Sequence, residues 1–244
     1  MKQYEAVIRT IEKLGGIATL GQINQEVFKI KECEWKTKTP FASIRRIVQL
    51  NENIYKIKPG LYGLLKYKNR LDNLGYIVGE TNSKSLEKFL EFNHSYYQGL
   101  LLEIGNMKGM STYIPAQDKN KLFLSKTLNE ISTLDKIYEF SYQSIVSRAK
   151  TIDVIWFNER KMLSSVFEVE HSTDIQNSLL KFNDLQDFYS QFYIVADKQR
   201  QNEFLKKINY AAFKEIKERI KFIDYKFVSN LHTKMSELSM IEQL

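Results

Sequence analysis

Residues 153–170 read DVIWFNERKMLSSVFEVE, and this stretch decides the fold of the second half of the chain. Its two apolar segments, DVIWF and SVFEVE, are rich in β-branched and aromatic residues and are predicted to be strands. Asp153 begins the first segment, whereas Glu168 and Glu170 lie within the second. Because side chains two apart in a strand project from the same face, Glu168 and Glu170 are expected to point together.

Three carboxylates on one short, apolar stretch suggest a metal site. Neighbouring carboxylates inside a hydrophobic strand repel each other and lose hydration unless a cation or a proton compensates. Mg²⁺ prefers oxygen ligands, and it assists phosphodiester hydrolysis when carboxylates converge on it. Asp153, Glu168 and Glu170 are therefore the candidate metal ligands. The alternative is that Asp153 caps a strand and that the two glutamates lie on a solvated edge.

The segments around this stretch alternate between strand-like and helix-like patterns. They are a helix at 85–104, a strand STYIPA (111–116), a helix NSLLKFNDLQDFY (177–189), a strand QFYIVAD (191–197), a helix at 202–220 and a last strand or helix end at 220–228. A break near Asn93 would divide the first of these helices into two. The pattern predicts an α/β domain in which a mixed sheet is flanked by helices.

The N-terminal part of the chain predicts three helices. Apolar residues at helical spacing over 4–14 end at Gly15-Gly16, and Thr19 is placed to cap a second helix. Thr39 is the expected N-cap of a third helix. Pro40 takes its first position, where a missing N–H costs nothing.

A hairpin follows the third helix. The segment IYKIKPGLYGLL at 54–65 reads as two short strands joined at Pro59-Gly60. Three helices and a hairpin are typical of a winged helix-turn-helix, which we assign to residues 1–67. Residues 68–84 break the periodicity and are predicted to be a linker to the second domain at 85–244.

The positive charge of the chain belongs to its N-terminal third. The net charge is +7, and residues 1–70 contain 14 Lys and Arg against 6 Asp and Glu, a balance of +8. A localised positive field beside a nearly neutral remainder favours binding to the phosphate backbone of nucleic acid. A basic surface that only keeps the protein soluble is the alternative.

The third helix and the hairpin contain the candidate DNA-binding residues. In a winged helix the third helix enters the major groove and the wing lies against the backbone. The candidates are Lys36, Lys38, Thr39, Ser43, Arg45 and Arg46 at the helix, and Lys56 and Lys58 on the first strand of the hairpin. Arg45 and Arg46 diverge by about 100°, so both cannot face one groove equally. Lys56 and Lys58 are expected to share a face suited to phosphate contacts.

Composition argues against several other classes of protein. One cysteine, Cys33, cannot form an internal disulfide or a multi-cysteine zinc site, and the three histidines share no metal-ligand spacing. No apolar run approaches the roughly 20 residues of a membrane helix, and MKQYEAVIRT lacks the apolar block of a signal peptide. We therefore expect a soluble cytoplasmic protein that does not contact a membrane.

The order of acids resembles the PD-(D/E)xK nuclease core. In that superfamily a hairpin carries an acid and then an acid-x-lysine pair, matched here by Asp153 and Glu168, with Glu170 in the place of the lysine. The longer string from Ile152 to Gln186 resembles a bacterial group of these nucleases in which a basic residue follows on the next helix. Lys181 is the matching residue.

The segment HSYYQGLLLEIG resembles the first core helix of the same group and places His94 and Gln98 near the acids. The resemblance implies a type II-like restriction endonuclease of bacterial origin that uses Mg²⁺, for which Mn²⁺ can substitute. It also implies a double-stranded DNA substrate, and cleavage of both strands favours a homodimer.

The N-terminal segments TKTPFASIRRIVQL and IYKIKPGLYGLL resemble the HARE-HTH winged-helix module, which occurs fused to restriction endonucleases. Together the two resemblances cover about residues 1–67 and 85–230. Two other functions remain open at this point. One is a non-catalytic winged-helix DNA-binding regulator, which the buried carboxylates disfavour, and the other is a nuclease acting on RNA or in DNA repair.

Overall fold

The computed structural model describes residues 1–73, 83–171 and 174–242, which divide into two compact units. Unit 1 comprises Met1–Phe92 together with Ser229–Leu244, and unit 2 comprises Asn93–Val228. The described elements of the first 107 residues are α1 (Gln3–Lys13), β1 (Ile17–Thr19), α2 (Leu20–Glu26), α3 (Pro40–Leu50), β2 (Ile54–Lys58), β3 (Leu61–Leu64), α4 (Lys68–Asn73) and α5 (Ser83–Met107). The later elements are β4 (Ser111–Tyr113), β5 (Leu122–Phe123), β6 (Lys126–Thr127), α6 (Leu128–Ile131), α7 (Gln143–Ala149), β7 (Val154–Phe157), β8 (Leu163–Glu170), α8 (Ile175–Asn183), β9 (Gln191–Ala196), α9 (Gln201–Ile208), β10 (Ile220–Asp224) and α10 (Tyr225–Ile241).

Unit 1 contains the three helices and the hairpin that the sequence predicts. Thr19 accepts a hydrogen bond from the Gln22 N–H and caps α2, whereas Thr39 precedes α3 without a side-chain cap bond. Gly60 turns the hairpin with a φ of +72°, a backbone conformation that favours glycine. The sheet has a third strand, β1, which pairs antiparallel with β3, so that the strand order is β1-β3-β2.

The end of α10 packs within unit 1. A Cβ at Gly21 on α2 would lie 2.5 Å from Ser236 Oγ, so the helices approach closely there. Glu237 pairs with Arg45 of α3 at 2.6 Å. The described division therefore differs from the predicted second domain at 85–244, because residues 229–242 bury polar side chains against α2 and α3. The predicted linker at 68–84 begins as α4, and its residues 74–82 lie outside the described part of the chain.

Unit 2 is built on a five-stranded mixed sheet in the order β10-β9-β8-β7-β4. Strands β8, β9 and β10 are parallel, whereas β7 pairs antiparallel with β8 and with β4. Helices α7, α8 and α9 cover one face through a core that includes Phe157, Leu179, Phe182, Phe192 and Phe204. The mixed α/β architecture expected from the sequence is thus present.

The structure resolves three sequence expectations for the elements in this part of the chain. Helix α5 continues through Asn93 without a break. The segment 220–228 is both β10 and the start of α10. The helix expected over 202–220 ends at Ile208, where the Asn209 side chain donates to the Leu205 carbonyl, and short 3₁₀ turns replace the remainder.

Candidate active site

Asp153 lies immediately before β7, and the β7–β8 pairing fixes its side chain. Val154 is in register with Phe167, so Asp153 faces the C-terminal part of β8. Its Oδ2 accepts a hydrogen bond of 2.7 Å from the Val169 N–H. The carboxylate is largely buried and is held by backbone on one side only, which leaves Oδ1 for another partner.

Glu168 and Glu170 project from the same face of β8, as the two-residue period of a strand predicts. Both side chains are buried, and both contact the hydroxyl of Ser178 on α8. The Ser178 Oγ lies 3.0 Å from Glu168 Oε2 and also bonds Glu170 Oε1. The sequence analysis did not single out Ser178, because its role depends on the packing of α8 against β8.

Lys181 supplies the positive charge beside Glu168. Its Nζ donates to both carboxylate oxygens at 2.9 and 2.8 Å and to the Thr151 carbonyl at 3.0 Å. Burial raises the pKa of Glu168 well above its usual value, and the charge of Asp153 raises it further, whereas Lys181 opposes both. Glu168 therefore lies where added positive charge is strongly stabilising.

Glu170 has a second set of partners near its end of β8. Arg200, which precedes α9, places Nη1 at 3.8 Å from Glu170 Oε2 and also pairs with Glu203. The Tyr225 hydroxyl donates to the Glu170 carbonyl at 3.0 Å and lies 2.6 Å from His171 Nδ1. No local pattern in the sequence marks Arg200 or Tyr225, since β9 and β10 bring them to β8 from distant positions.

Helix α5 contributes His94 and Gln98, which are one turn apart as expected. His94 Nε2 lies 3.4 Å from Asp153 Oδ1. Burial lowers the pKa of His94, but the hydrogen bond to Asp153 and the charges of Asp153 and Asp118 together outweigh it, so the pKa is raised overall. Gln98 Nε2 donates to Asp118 Oδ2 at 2.7 Å and to the Asp153 carbonyl at 3.3 Å.

Asp118 is a buried acid of this site that the sequence analysis missed. It ends a 3₁₀ turn between β4 and β5, and no motif marks it. Ligand atoms of His94, Asp118 and Asp153 all lie within 4.8 Å of one another. Within residues 1–73, 83–171 and 174–242, this is the group of histidine and carboxylate side chains with metal-ligand spacing, and it contains neither Glu168 nor Glu170.

The structure does bring the predicted acids into one electrostatic cluster. The charges of Asp153 and Glu170 both act on Glu168, whose oxygens are the hard ligands that Mg²⁺ prefers. The carboxylate oxygens of Asp153, Glu168 and Glu170 form a donor set that fits a divalent cation. Asp153 takes part in this cluster and also in the group with His94 and Asp118.

The predicted DNA-binding residues of unit 1 fall into two groups. The exposed ones are Lys36, Lys38, Thr39, Arg46 and Lys56, and Ser43 is partly exposed. Arg45 is instead turned to Glu237, whereas its neighbour Arg46 is exposed, as their divergence on a helix predicts.

Lys58 is the clear exception among the predicted DNA contacts. A register shift in the β2–β3 pairing separates it from Lys56, and the two side chains do not share a face as expected. Its Nζ lies 4.6 and 4.7 Å from the ring centroids of Phe89 and Phe92, and burial lowers its pKa to about 7. A buried ammonium of this kind is not placed to contact phosphate.

The fold and the site together define an α/β protein in which buried carboxylates on and beside β7 and β8 are contacted by a lysine from α8 and a histidine from α5. Residues 77–243 match the family described as the type II restriction enzyme NmeDI C-terminal domain, and the chain belongs to this family.

One relative shows how far the similarity extends. The type II restriction enzyme NmeDI of Neisseria meningitidis serogroup C is 27% identical over 150 residues, which cover 57% of this chain and 42% of that enzyme. The chain thus spans less than half the length of this relative. No solved structure matches it. Over the described residues, no helix combines the length and apolar character required to cross a bilayer.

Proposed function

We propose that this chain is a DNA endonuclease of the type II restriction class that hydrolyses phosphodiester bonds with Mg²⁺. The observation that carries the proposal is the buried cluster of Asp153, Glu168 and Glu170 beside Lys181, within the part of the chain that matches the restriction-enzyme family. A scaffold gains no stability from burying three acids, whereas metal-assisted phosphodiester hydrolysis requires them.

Asp153, Glu168 and Glu170 are the proposed ligands of Mg²⁺, for which Mn²⁺ can substitute because it accepts the same oxygen donors. When bound, the cation supplies Lewis acidity and neutralises charge on the phosphate. The protein supplies the orientation. Ser178 holds Glu168 and Glu170 together from α8, which fixes both carboxylates before DNA arrives.

Lys181 and Glu170 have distinct proposed roles in the chemistry. Lys181 stabilises the negative charge that develops on the phosphate, because its ammonium already lies at the edge of the acid cluster. Glu170 accepts a proton from the attacking water or completes the ligand set. Gln98 and His94 hold Asp118 and Asp153 from α5.

Unit 1 is the proposed DNA-binding part, with residues 1–67 forming a winged helix of the HARE-HTH kind. Exposed Lys36, Lys38, Thr39 and Arg46 lie at α3, and Lys56 lies on the hairpin. Arg45 and Lys58 are not part of this proposed surface. Arg45 pairs with Glu237, and the Lys58 ammonium packs against two phenylalanine rings. Cleavage of both strands of double-stranded DNA would be performed by a homodimer.

The test is cleavage of unmodified and methylated plasmid DNA by the full chain, with Mg²⁺ and with EDTA, followed by sequencing of the ends. Asp153→Ala and Glu168→Ala should abolish cleavage but retain DNA binding, whereas the exposed control Glu159→Ala should cleave normally. DNA binding without cleavage in any divalent cation would favour a non-catalytic regulator. Cleavage of RNA alone would assign a different substrate.

A further inference from the structure

His94, Gln98 and Asp118 lie next to Asp153. Asp153 Oδ2 is bound by the Val169 N–H, so Oδ1 is the oxygen that lies 3.4 Å from His94 Nε2. The imidazole and the carboxylates of Asp118 and Asp153 present ligand atoms within 4.8 Å of one another. A cation with bonds of about 2.0–2.2 Å spans such a group after small side-chain adjustments.

Gln98 gives an independent indication of a ligand at this place. Its side chain is fully buried, and its amide nitrogen is engaged by Asp118 Oδ2 and the Asp153 carbonyl. The amide oxygen, however, has no hydrogen-bond partner among the described residues. Because the nitrogen must donate to the Asp118 carboxylate, exchanging the amide oxygen and nitrogen would not remove the problem. A buried carbonyl oxygen without a donor is well suited to a cation.

Asp118 already pairs with a positively charged side chain. Its Oδ1 pairs with Lys121 Nζ at 2.7 Å, while Oδ2 accepts from Gln98. Lys121 is partly exposed and has a long, flexible side chain, so it can move into solvent without disturbing the hairpin that carries it. Lys121 and a metal ion would therefore compete for Asp118.

We propose that His94, Asp118, Asp153 and the amide oxygen of Gln98 form a second divalent-cation site that prefers a first-row transition metal over Mg²⁺. Imidazole nitrogen is a good ligand for Co²⁺, Zn²⁺ and similar ions, whereas Mg²⁺ takes oxygen donors. This site differs from the proposed Mg²⁺ site of Asp153, Glu168 and Glu170, and the two have Asp153 in common. Cation binding at this site is expected whether or not the chain cleaves DNA.

The experiment uses Co²⁺ as the probe, because its visible absorption reports nitrogen and oxygen ligands directly. The full chain, freed of metal with EDTA, is titrated with Co²⁺ and with Mg²⁺ by calorimetry and absorption, without DNA. Co²⁺ should bind more tightly than Mg²⁺. His94→Gln and Asp118→Asn should each weaken Co²⁺ binding by at least about tenfold, the scale on which even outer-shell partners of a metal act. Glu168→Gln should retain the part of the Co²⁺ absorption that His94→Gln removes.

Lys121→Met is included because the other variants could lose Co²⁺ binding simply by misfolding, whereas misfolding could not increase it. Removing the competing ammonium should tighten Co²⁺ binding, whereas Lys126→Met, an exposed lysine on the same hairpin, should not. Unchanged Co²⁺ affinity in His94→Gln, Asp118→Asn and Lys121→Met would overturn the proposal, as would loss of the Co²⁺ spectrum in Glu168→Gln alone. A chain that binds Co²⁺ in this way but leaves DNA intact would support the site and contradict the nuclease function.

Discussion

Glu170 stands two residues after Glu168 on the same face of β8, at the position where the resemblance to the PD-(D/E)xK core would place a lysine. The positive charge of this site comes instead from α8, through Lys181. Arg200 approaches Glu170 from the other side, with its Nη1 at 3.8 Å from Oε2. A lysine at this position would lie beside the Arg200 guanidinium, in addition to the Lys181 ammonium that already pairs with Glu168.

Glu170→Gln should reduce the cleavage rate by roughly a hundredfold or more, the usual contribution of a positioned acid or base. Glu170→Lys should be inactive, because the new ammonium would face Arg200 and would compete with Mg²⁺ for Glu168. Rates are compared at one Mg²⁺ concentration, with Glu159→Gln as the exposed control. Full activity in the lysine variant would show that Glu170 is merely tolerated and has no catalytic part.

Lys58 illustrates how the environment of one residue sets the pH dependence of stability. Burial lowers its pKa to about 7 in the folded chain, against an ordinary value of 10.5. Between these pH values the unfolded chain binds more protons, so this residue makes stability rise with pH. Below about pH 7 the lysine is protonated in both states, and the full cost of burying the charge remains.

Lys58→Met should therefore raise the thermal unfolding midpoint near pH 6, and the gain should shrink as the pH approaches about 10. The exposed neighbour Lys56→Met should show no such trend. Melting curves of the two variants and the parent chain across this pH range provide the measurement. Equal effects of Lys58→Met at both ends of the range would contradict a lowered pKa.

At the level of elements, the sequence predicted those helices and strands whose formation depends on local residue patterns. Apolar, β-branched runs give β4, β7, β8 and β9, and helical periodicity with a cap gives α1, α2 and α3. Strand β1 was missed because three residues carry too little pattern. Residues that reach the site through long-range packing were missed as well, namely Asp118, Ser178 and Arg200.

The two lysines of β2 show a different kind of limit. Strict alternation predicts that Lys56 and Lys58 share a face. Because the register shifts between them, Lys56 is exposed and Lys58 is buried. Such an irregularity arises from pairing with β3 and has no signature in the strand itself. By contrast, Glu168 and Glu170 lie in regular pairing with β9, and the alternation rule holds for them.

A charged pair joins α10 to α3. Glu237 accepts from Arg45 Nη2 at 2.6 Å and lies 3.5 Å from Asn24 Nδ2. Glu237→Gln should lower the free energy of unfolding by roughly 1 to 3 kcal/mol, because it removes a charged hydrogen bond from a largely buried position. Denaturant unfolding is the measurement, and exposed Glu52→Gln is the control.

A double-mutant cycle with Arg45→Met separates this pair from other effects of the same substitutions. If Arg45 and Glu237 stabilise each other, the loss in the double variant should be smaller than the sum of the two single losses. Strict additivity would mean that the pair contributes no coupling, and that α10 is held by its apolar contacts alone.

For the whole molecule, the excess of positive charge and the buried carboxylates lie in different parts of the chain. The balance of +8 lies in residues 1–70, whereas the remaining residues contain 22 Lys and Arg against 23 Asp and Glu. The carboxylates of the candidate active site belong to the nearly neutral part. An anionic substrate would therefore be attracted mainly by the N-terminal third, and the acids would act on it locally with a cation present.

The salt dependence of DNA binding by the full chain tests this division, since each phosphate neutralised by a lysine releases condensed counterions. Affinity should fall steeply as salt rises, and Lys56→Met should reduce the slope of log affinity against log salt by roughly one. Lys58→Met should leave that slope unchanged, because its ammonium lies against the rings of Phe89 and Phe92 and not at the surface. Binding is measured with EDTA present, so that no cleavage interferes and the acid cluster carries no cation. Equal slopes for both variants and the parent chain, or binding that ignores salt, would show that the basic N-terminal surface serves something other than DNA.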